Sequence, residues 1–365
     1  MCRGILIAGW KVSGSRSMRK IRKYLRGMLA GVIIMFGIAG CQSDVLSREI
    51  VFTTGLTASE IFKIGGLACT VSEARLLLVN VKNQYEEAFG KEIWEQNIEG
   101  KPFQAYVKDM VKNQLAQLKC MVLFANEEKI ALTEEEEKLL REAAIAYCES
   151  LDEKEKEVLQ ITEEDVWELY KSLAVSGKLY DMLTQEVEEE ISDAEAKVIV
   201  VWHIFKDCKE STAQERAEKK KELSDIRERL LTQGADFASL AEEHSDDAKL
   251  EYAFGRGEME QSFEMAAFAL ESGEISDIVE TMDGYHLIKC VRDYDEEKTA
   301  RNKTELLKRR KQEAFDKEYA VFIKGLLSEF NEGAWEDITF DQFEGIDNKN
   351  LYEVYEEYWE TGEKE

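Results

Sequence analysis

The chain has 365 residues, with 48 Lys/Arg against 75 Asp/Glu and a formal charge of −27. At 44% hydrophobic it can bury a sizeable core, which excludes a disordered chain, and its acidity excludes nucleic acid as a partner. A single proline, Pro102, among long runs of Glu, Lys, Leu and Ala points to a mostly helical protein of one to three domains.

The first 40 residues read as a targeting segment. Arg19, Lys20, Arg22, Lys23 and Arg26 form a basic stretch, residues 27–40 are uncharged, and Cys41 follows. That uncharged run is shorter than the ~18–20 residues that span a bilayer, and Ala39 and Gly40 suit signal cleavage. Ile38-Ala39-Gly40-Cys41 resembles a bacterial lipobox, which implies a lipid on Cys41 and an anchor at the outer face of the cell membrane. Residues 1–17 precede Met18 and read as a mis-assigned start or an extended basic region. Residues 1–40 hold eight Lys/Arg and no Asp/Glu, which leaves 40 basic against 75 acidic residues beyond them. Such a surface does not adhere to anionic lipid, so a covalent lipid is the expected attachment. Cys69, Cys120, Cys148, Cys208 and Cys290 show no metal-type spacing and are expected to be free thiols; no metal is expected.

Residues 45–67 read as short strand-like pieces. Helical periodicity then predicts helices over 72–90 (capped by Ser72), 103–130 (Pro102 in the first turn), 133–151 and 162–187. Thr133 with Glu136 forms a capping box, and Thr162 with Asp165 a weaker one. The charged passage 186–197 reads as a boundary. Beyond it come a buried strand over 198–205, helices over 213–234, 236–247 (capped by Asp236) and 262–270 (capped by Ser262), and a closing hairpin of 278–281 with 284–294. Residues 248–261 read as loop, 297–331 as one long charged helix, and the acidic, aromatic tail from Asn331 as solvated and partly disordered. The expected fold class is α+β, with a β-α-α-α-β-β domain over 195–295 inserted in a mainly helical region. That region spans 41–194, with the helix of 296–365 packing back onto it.

The three histidines, His203, His244 and His286, all fall inside the inserted domain. His203 and His286 sit on its first and last strands, where neighbouring strands would let the imidazoles share a face; His244 reads as surface. The successive segments "WHIF", "GADFASLAEEHSDD", "FGRGEMEQSFEMAAFALESGEIS" and "DGYHLIK" resemble, in order and spacing, the motifs of the parvulin family of peptidyl-prolyl cis/trans isomerases over about 198–294. With the lipobox and helical flanks, the whole chain resembles PrsA-like foldase lipoproteins and, more distantly, SurA-type chaperones.

The resemblance implies paired buried histidines at His203 and His286, and Asp247 beside the reacting amide. It implies a proline pocket walled by Met259 and Phe263 with Phe254 nearby, and a polar link at Thr281 and Asp283. The implied activity needs no cofactor, and the implied partners are unfolded or newly exported polypeptides with X–Pro bonds. The alternative is a non-catalytic holdase whose parvulin module is degenerate. Two departures bear on catalytic efficiency. The family's glycine-rich loop is replaced by "AKLEYAFGRG", and Glu251 stands where an apolar pocket residue is common. The loop after His203 lacks the basic cluster of phosphate-directed members, so selectivity for phosphorylated Ser/Thr–Pro is not expected.

Overall fold

The computed structural model describes residues 55–98 and 100–362. Cys41, the signal segment and strand-like residues 45–54 lie outside them. The chain divides into two compact units. One takes the residues up to Gln185 and from Gln312 onward; the other runs Glu186–Lys311.

The first unit opens with an antiparallel hairpin, β1 (Glu60–Ile64) and β2 (Leu67–Thr70). Helix α1 (Val71–Phe89) begins at Thr70 rather than Ser72, because the glutamate a capping box requires three residues on is Glu73. The Thr70 hydroxyl accepts from the Glu73 amide, and the Glu73 carboxylate accepts from the Thr70 amide at 2.9 Å. A two-residue ladder, β3 (Asn97–Ile98) with β4 (Lys101–Pro102), leads into α2 (Phe103–Glu127), where Pro102 takes the cap position instead of the first turn. Then come α3 (Glu134–Ser150), α4 (Glu153–Leu159) and α5 (Glu163–Thr184). Each starts with a complete capping box, including Thr162 with Asp165, whose short side chain still reaches back at 2.8 Å. The sequence reading has no counterpart to α4, which at two turns is too short to show a period.

The second unit contains α6 (Asp193–Ala196), β5 (Ile199–Asp207), α7 (Ala213–Gln233), α8 (Phe237–His244), β6 (Glu251–Phe254), α9 (Gln261–Phe268), β7 (Val279–Glu280) and β8 (Gly284–Arg292). It also holds the first part of α10 (Glu296–Phe322). It is wider at both ends than 195–295, because Ile191 and Ala196 pack with Leu306 in a small core of their own. One antiparallel sheet runs in the order β6-β5-β8-β7. The presence of β6 corrects the reading of 248–261 as loop, and the order becomes β-α-α-β-α-β-β. Four residues carry too little alternation to announce a strand; pairing with β5 supplies what propensity does not. Ser262 also lies inside α9 rather than capping it. Glu260 holds the cap position without a side-chain cap bond. The α+β class stands.

The chain then returns to the first unit. Helix α10 ends at Phe322, nine residues before the expected 331, and β9 (Ser328–Phe330) pairs with β1. The tail is ordered through α11 (Glu332–Glu336) and α12 (Leu351–Gly362). Trp335, Ile338, Phe340, Phe343, Ile346, Leu351 and Tyr355 are all buried in the main core, which corrects the reading of a solvated tail. Each such large side chain contributes roughly 1.5–3 kcal/mol of burial. The buried Lys108 ammonium donates to the carbonyls of Trp335 and Ile338 at 3.0 and 2.7 Å, tying the tail to α2.

The sheet of the second unit has two differently covered faces, because side chains alternate along each strand. Ile204, Tyr285 and Leu287 face α7 and α8, packing on Leu223, Ile226, Phe237 and Leu240. Ile199, Val201 and Ile288 face the other way, onto Phe254, Phe263 and Ala267. The β5–β8 pairing starts with close backbone contact at Gly284. A Cβ there would lie 1.9 Å from the Lys206 carbonyl oxygen and 3.0 Å from the Cys208 nitrogen. Gly284→Ala is therefore expected to force β8 away from β5 and to destabilise the unit by about 2 kcal/mol or more. Urea unfolding of the variant checks this, and an unchanged midpoint would contradict it.

Candidate active site

The register of β5 against β8 brings the two histidines together. His203 pairs with Ile288, and Phe205 pairs with His286, so the imidazoles are diagonal neighbours on one face. Their Nδ1 atoms lie 3.3 Å apart. Both are buried, at 6% and 9% exposure. The next bond on each side continues the line. His203 Nε2 lies 3.1 Å from Asp247 Oδ2, and His286 Nε2 lies 2.9 Å from the Thr281 hydroxyl. Tyr252 donates to the same Asp247 oxygen at 2.6 Å, and the Lys249 amide donates to the other at 2.9 Å.

Proton counting orients the whole chain of bonds. Asp247 as carboxylate only accepts, so His203 carries its proton on Nε2 and presents a lone pair at Nδ1. His286 then carries its proton on Nδ1 and donates to His203, leaving Nε2 to accept from the Thr281 hydroxyl. The Gly284 amide in turn donates to that hydroxyl at 3.3 Å. One proton sits in each contact, and all four ring nitrogens are used. A second proton on His203 would set its Nδ1–H against that of His286; one on His286 would turn the Thr281 hydroxyl from donor to acceptor. The electrostatics agree. Burial pushes both imidazoles below their ordinary range, and the neighbouring His203 adds to this at His286, which falls to about 4. Burial alone would raise the Asp247 carboxyl, but bonds from Tyr252, the Lys249 amide and His203 together hold it below its ordinary value.

Aromatic rings close over this line. Phe205 stacks on His286 with centroids 4.6 Å apart. Phe263, on α9, sets its ring edge-on to both imidazoles, at 5.9 Å from His203 and 5.1 Å from His286. Tyr252 stands edge-on to His203 at 4.9 Å. Met259 is half-buried against the same cluster. The start of α9 is fastened to the β7–β8 loop. Glu260 Oε2 accepts from the Met282 amide at 2.9 Å, and the Ser262 hydroxyl lies 2.8 Å from the Glu280 carbonyl oxygen.

The expected site residues thus divide. His203, Asp247, His286 and Thr281 join one network, with Phe263 and Met259 beside it. Phe254 is buried behind Phe263, at 5.9 Å between centroids, and packs also on Phe268. Asp283 stays outside the network. Its half-exposed carboxylate pairs with Lys209 at 3.1 Å. His244 is partly buried on the opposite side, bonded to Glu222 at 3.1 Å. Glu251 pairs with Trp202 across β6–β5, on the face away from the histidines, and its carboxylate accepts from the Trp202 indole at 3.1 Å. The residue of β6 that does face the site is Tyr252. Tyr252 and Phe205 escape the sequence reading; strand alternation in "VWHIF" puts Phe205 on the face of His203, whereas the face of Tyr252 follows only from the pairing of β6 with β5.

Two neutral buried histidines make stability depend on pH. Each binds a proton near pH 6.5 when unfolded but only at lower pH when folded. Their contribution is therefore complete above pH 6.5 and is lost as pH falls through the folded value. For His286 alone the loss between pH 7 and pH 5 comes to about 2 kcal/mol. Urea unfolding at both pH values is expected to show at least that decline; a flat profile would contradict neutral burial.

The family profile of the Rotamase group, described as a PPIC-type PPIASE domain, matches residues 203–292. That span runs from the first histidine of the network to the end of β8. The chain is 29% identical over 326 residues to Foldase protein PrsA of Caldanaerobacter subterraneus, covering 84% of this chain and 94% of that protein. It is 45% identical over 73 residues to Peptidyl-prolyl cis-trans isomerase Pin1 of Digitalis lanata, covering 19% of this chain and 62% of that one. The crystal structure of PrsA from Bacillus cereus aligns with a TM-score of 0.34 at 20% identity, over 83% of this chain and 99% of that one. The chain thus carries a PPIC-type peptidyl-prolyl isomerase domain and is similar over most of its length to a PrsA foldase.

Proposed function

We propose that the protein is an exported foldase that speeds cis/trans isomerisation of X–Pro bonds in client polypeptides, with its helical unit acting as a chaperone. The single observation that carries the catalytic part is the closed, uncharged imidazole line ending in Asp247 beneath Phe263, Met259, Phe205 and Tyr252. Rotation about an X–Pro amide faces a barrier of ~18–20 kcal/mol and breaks no bond. What lowers it is a slot for the pyrrolidine ring and an environment that favours the twisted amide over the planar one.

Met259, just before the cap of α9, and Phe263, in its first turn, suit the slot, the first by adaptability and the second as a flat wall. The planar amide owes its stiffness to a charge-separated form with negative oxygen and positive nitrogen. A fixed carboxylate beside the carbonyl oxygen, over a low-polarity floor, raises that form relative to the twisted one. Asp247 is the group suited to this role: its side chain is 28% exposed, whereas His203 and His286 have no free nitrogen to offer. The histidines are positioning residues that hold Asp247 and the floor. Glu251, turned to the other face, leaves the slot apolar.

Export and anchoring rest on the basic stretch, the uncharged run and Cys41 in the sequence. Among the described residues no helix is long and apolar enough to cross a membrane, and a lipid on Cys41 would supply the attachment. The acidic surface favours basic, unfolded clients emerging from the membrane.

A peptide isomerisation assay, run beside proline-limited refolding of a reporter, tests the reading. Phe263→Ala and Met259→Ala are each expected to lower kcat/KM about tenfold or more while suppression of aggregation persists. In cells, Cys41→Ser is expected to release the protein from the membrane fraction. If the unaltered protein gives no acceleration, and a variant lacking residues 195–295 still suppresses aggregation, the protein is a holdase instead.

A further inference from the structure

Met282 is the most exposed of the large apolar side chains among the described residues, at 87%. It lies in the β7–β8 loop, and the backbone around it is held on every side. Thr281, immediately before it, bonds His286. The Met282 amide itself donates to Glu260, the residue that follows Met259. The carbonyl of Asp283, immediately after it, accepts from the Cys208 amide at 2.8 Å. Met282 therefore stands between the polar end of the histidine network and the apolar wall of the slot, on a fixed backbone, with its side chain in water. Leaving a large apolar group in solvent forfeits roughly 1.5–3 kcal/mol of burial. A substrate lying across the rim would recover part of this. An unbranched thioether adapts to many apolar shapes and offers nothing to a charge.

We propose that Met282 is a specificity-determining lip, and that the site prefers X–Pro substrates with a large apolar or aromatic residue next to the proline. This rests on the isomerase reading of the same site. The proline ring occupies the slot by Met259 and Phe263, and the flanking side chain covers Met282. The charges nearest the lip, on Glu260 and Asp283, are engaged with the Met282 amide and with Lys209.

The test uses the full chain with two peptide series, one varying the residue before proline and one the residue after. In at least one series, leucine or phenylalanine is expected to exceed glycine in kcat/KM by about fivefold or more. Met282→Ala is expected to bring that ratio to within twofold of one. Met265→Ala, at a similarly exposed methionine (65%) on α9, is expected to leave it unchanged. A ratio near one in the unaltered protein, or a ratio untouched by Met282→Ala, would overturn the proposal. If no peptide is turned over, the isomerase reading fails. The same ratios, read as binding affinities from NMR shift titrations with the same peptides, then decide the lip on its own.

Discussion

The antiparallel pairing of β5 with β8 is the constraint on which the site depends. Its register sets His203 and His286 one diagonal step apart on the same face, so two rings from residues 83 positions apart in sequence meet nitrogen to nitrogen. A slip of one residue would send one imidazole to the face covered by α7 and α8, because side chains alternate along a strand. The glycine at the head of β8 allows the two backbones to approach closely enough to hold that register.

From that placement the chemistry narrows. A histidine with a free nitrogen near neutral pH is a proton shuttle. Here each ring gives both nitrogens to neighbours, and burial keeps each ring uncharged. The line behaves as a rigid polar strut across an apolar floor, ending in a carboxylate that touches solvent. This suits a reaction in which an amide twists and no proton changes hands. It also explains why aromatic rings crowd the strut: Phe205, Tyr252 and Phe263 remove the water that would otherwise compete for its bonds.

The histidine pair, Asp247, Thr281, Met259 and Phe263 were legible as sequence because they fall in a spaced motif. Tyr252 and Phe205 were not, although both touch the network. Residues 251–254 have no turn signals and only four positions, so they read as loop, and a loop has no faces. Once they pair with β5, Glu251 turns outward to Trp202 and Tyr252 inward to Asp247. The carboxylate that looked like a defect in the pocket is a surface group. The tail failed for a different reason. Its acidic average hides apolar residues from Trp335 to Tyr355 that are spaced to reach the core, and their burial depends on contacts with distant parts of the chain, such as Lys108 and Tyr170. The helices beginning after Thr133, Thr162 and Thr212 were read well because a capping box and several turns of periodicity coincide there. The two-turn α4 escaped despite its box, the start of α1 was placed at Ser72 instead of Thr70, and the starts at Pro102 and Glu260 were read less well.

The central claim is that the two imidazoles form a closed, neutral line with assigned protons. Nitrogen-15 NMR of the side chains in the folded protein reads this directly, because protonated, donor and acceptor ring nitrogens resonate apart. The expected result at pH 7 is His203 with its proton on Nε2 and His286 with its proton on Nδ1, His286 charging only at about pH 4 and His203 only below the ordinary histidine range. Titration of either ring near pH 6.5, or a proton found on Nδ1 of His203, would contradict it.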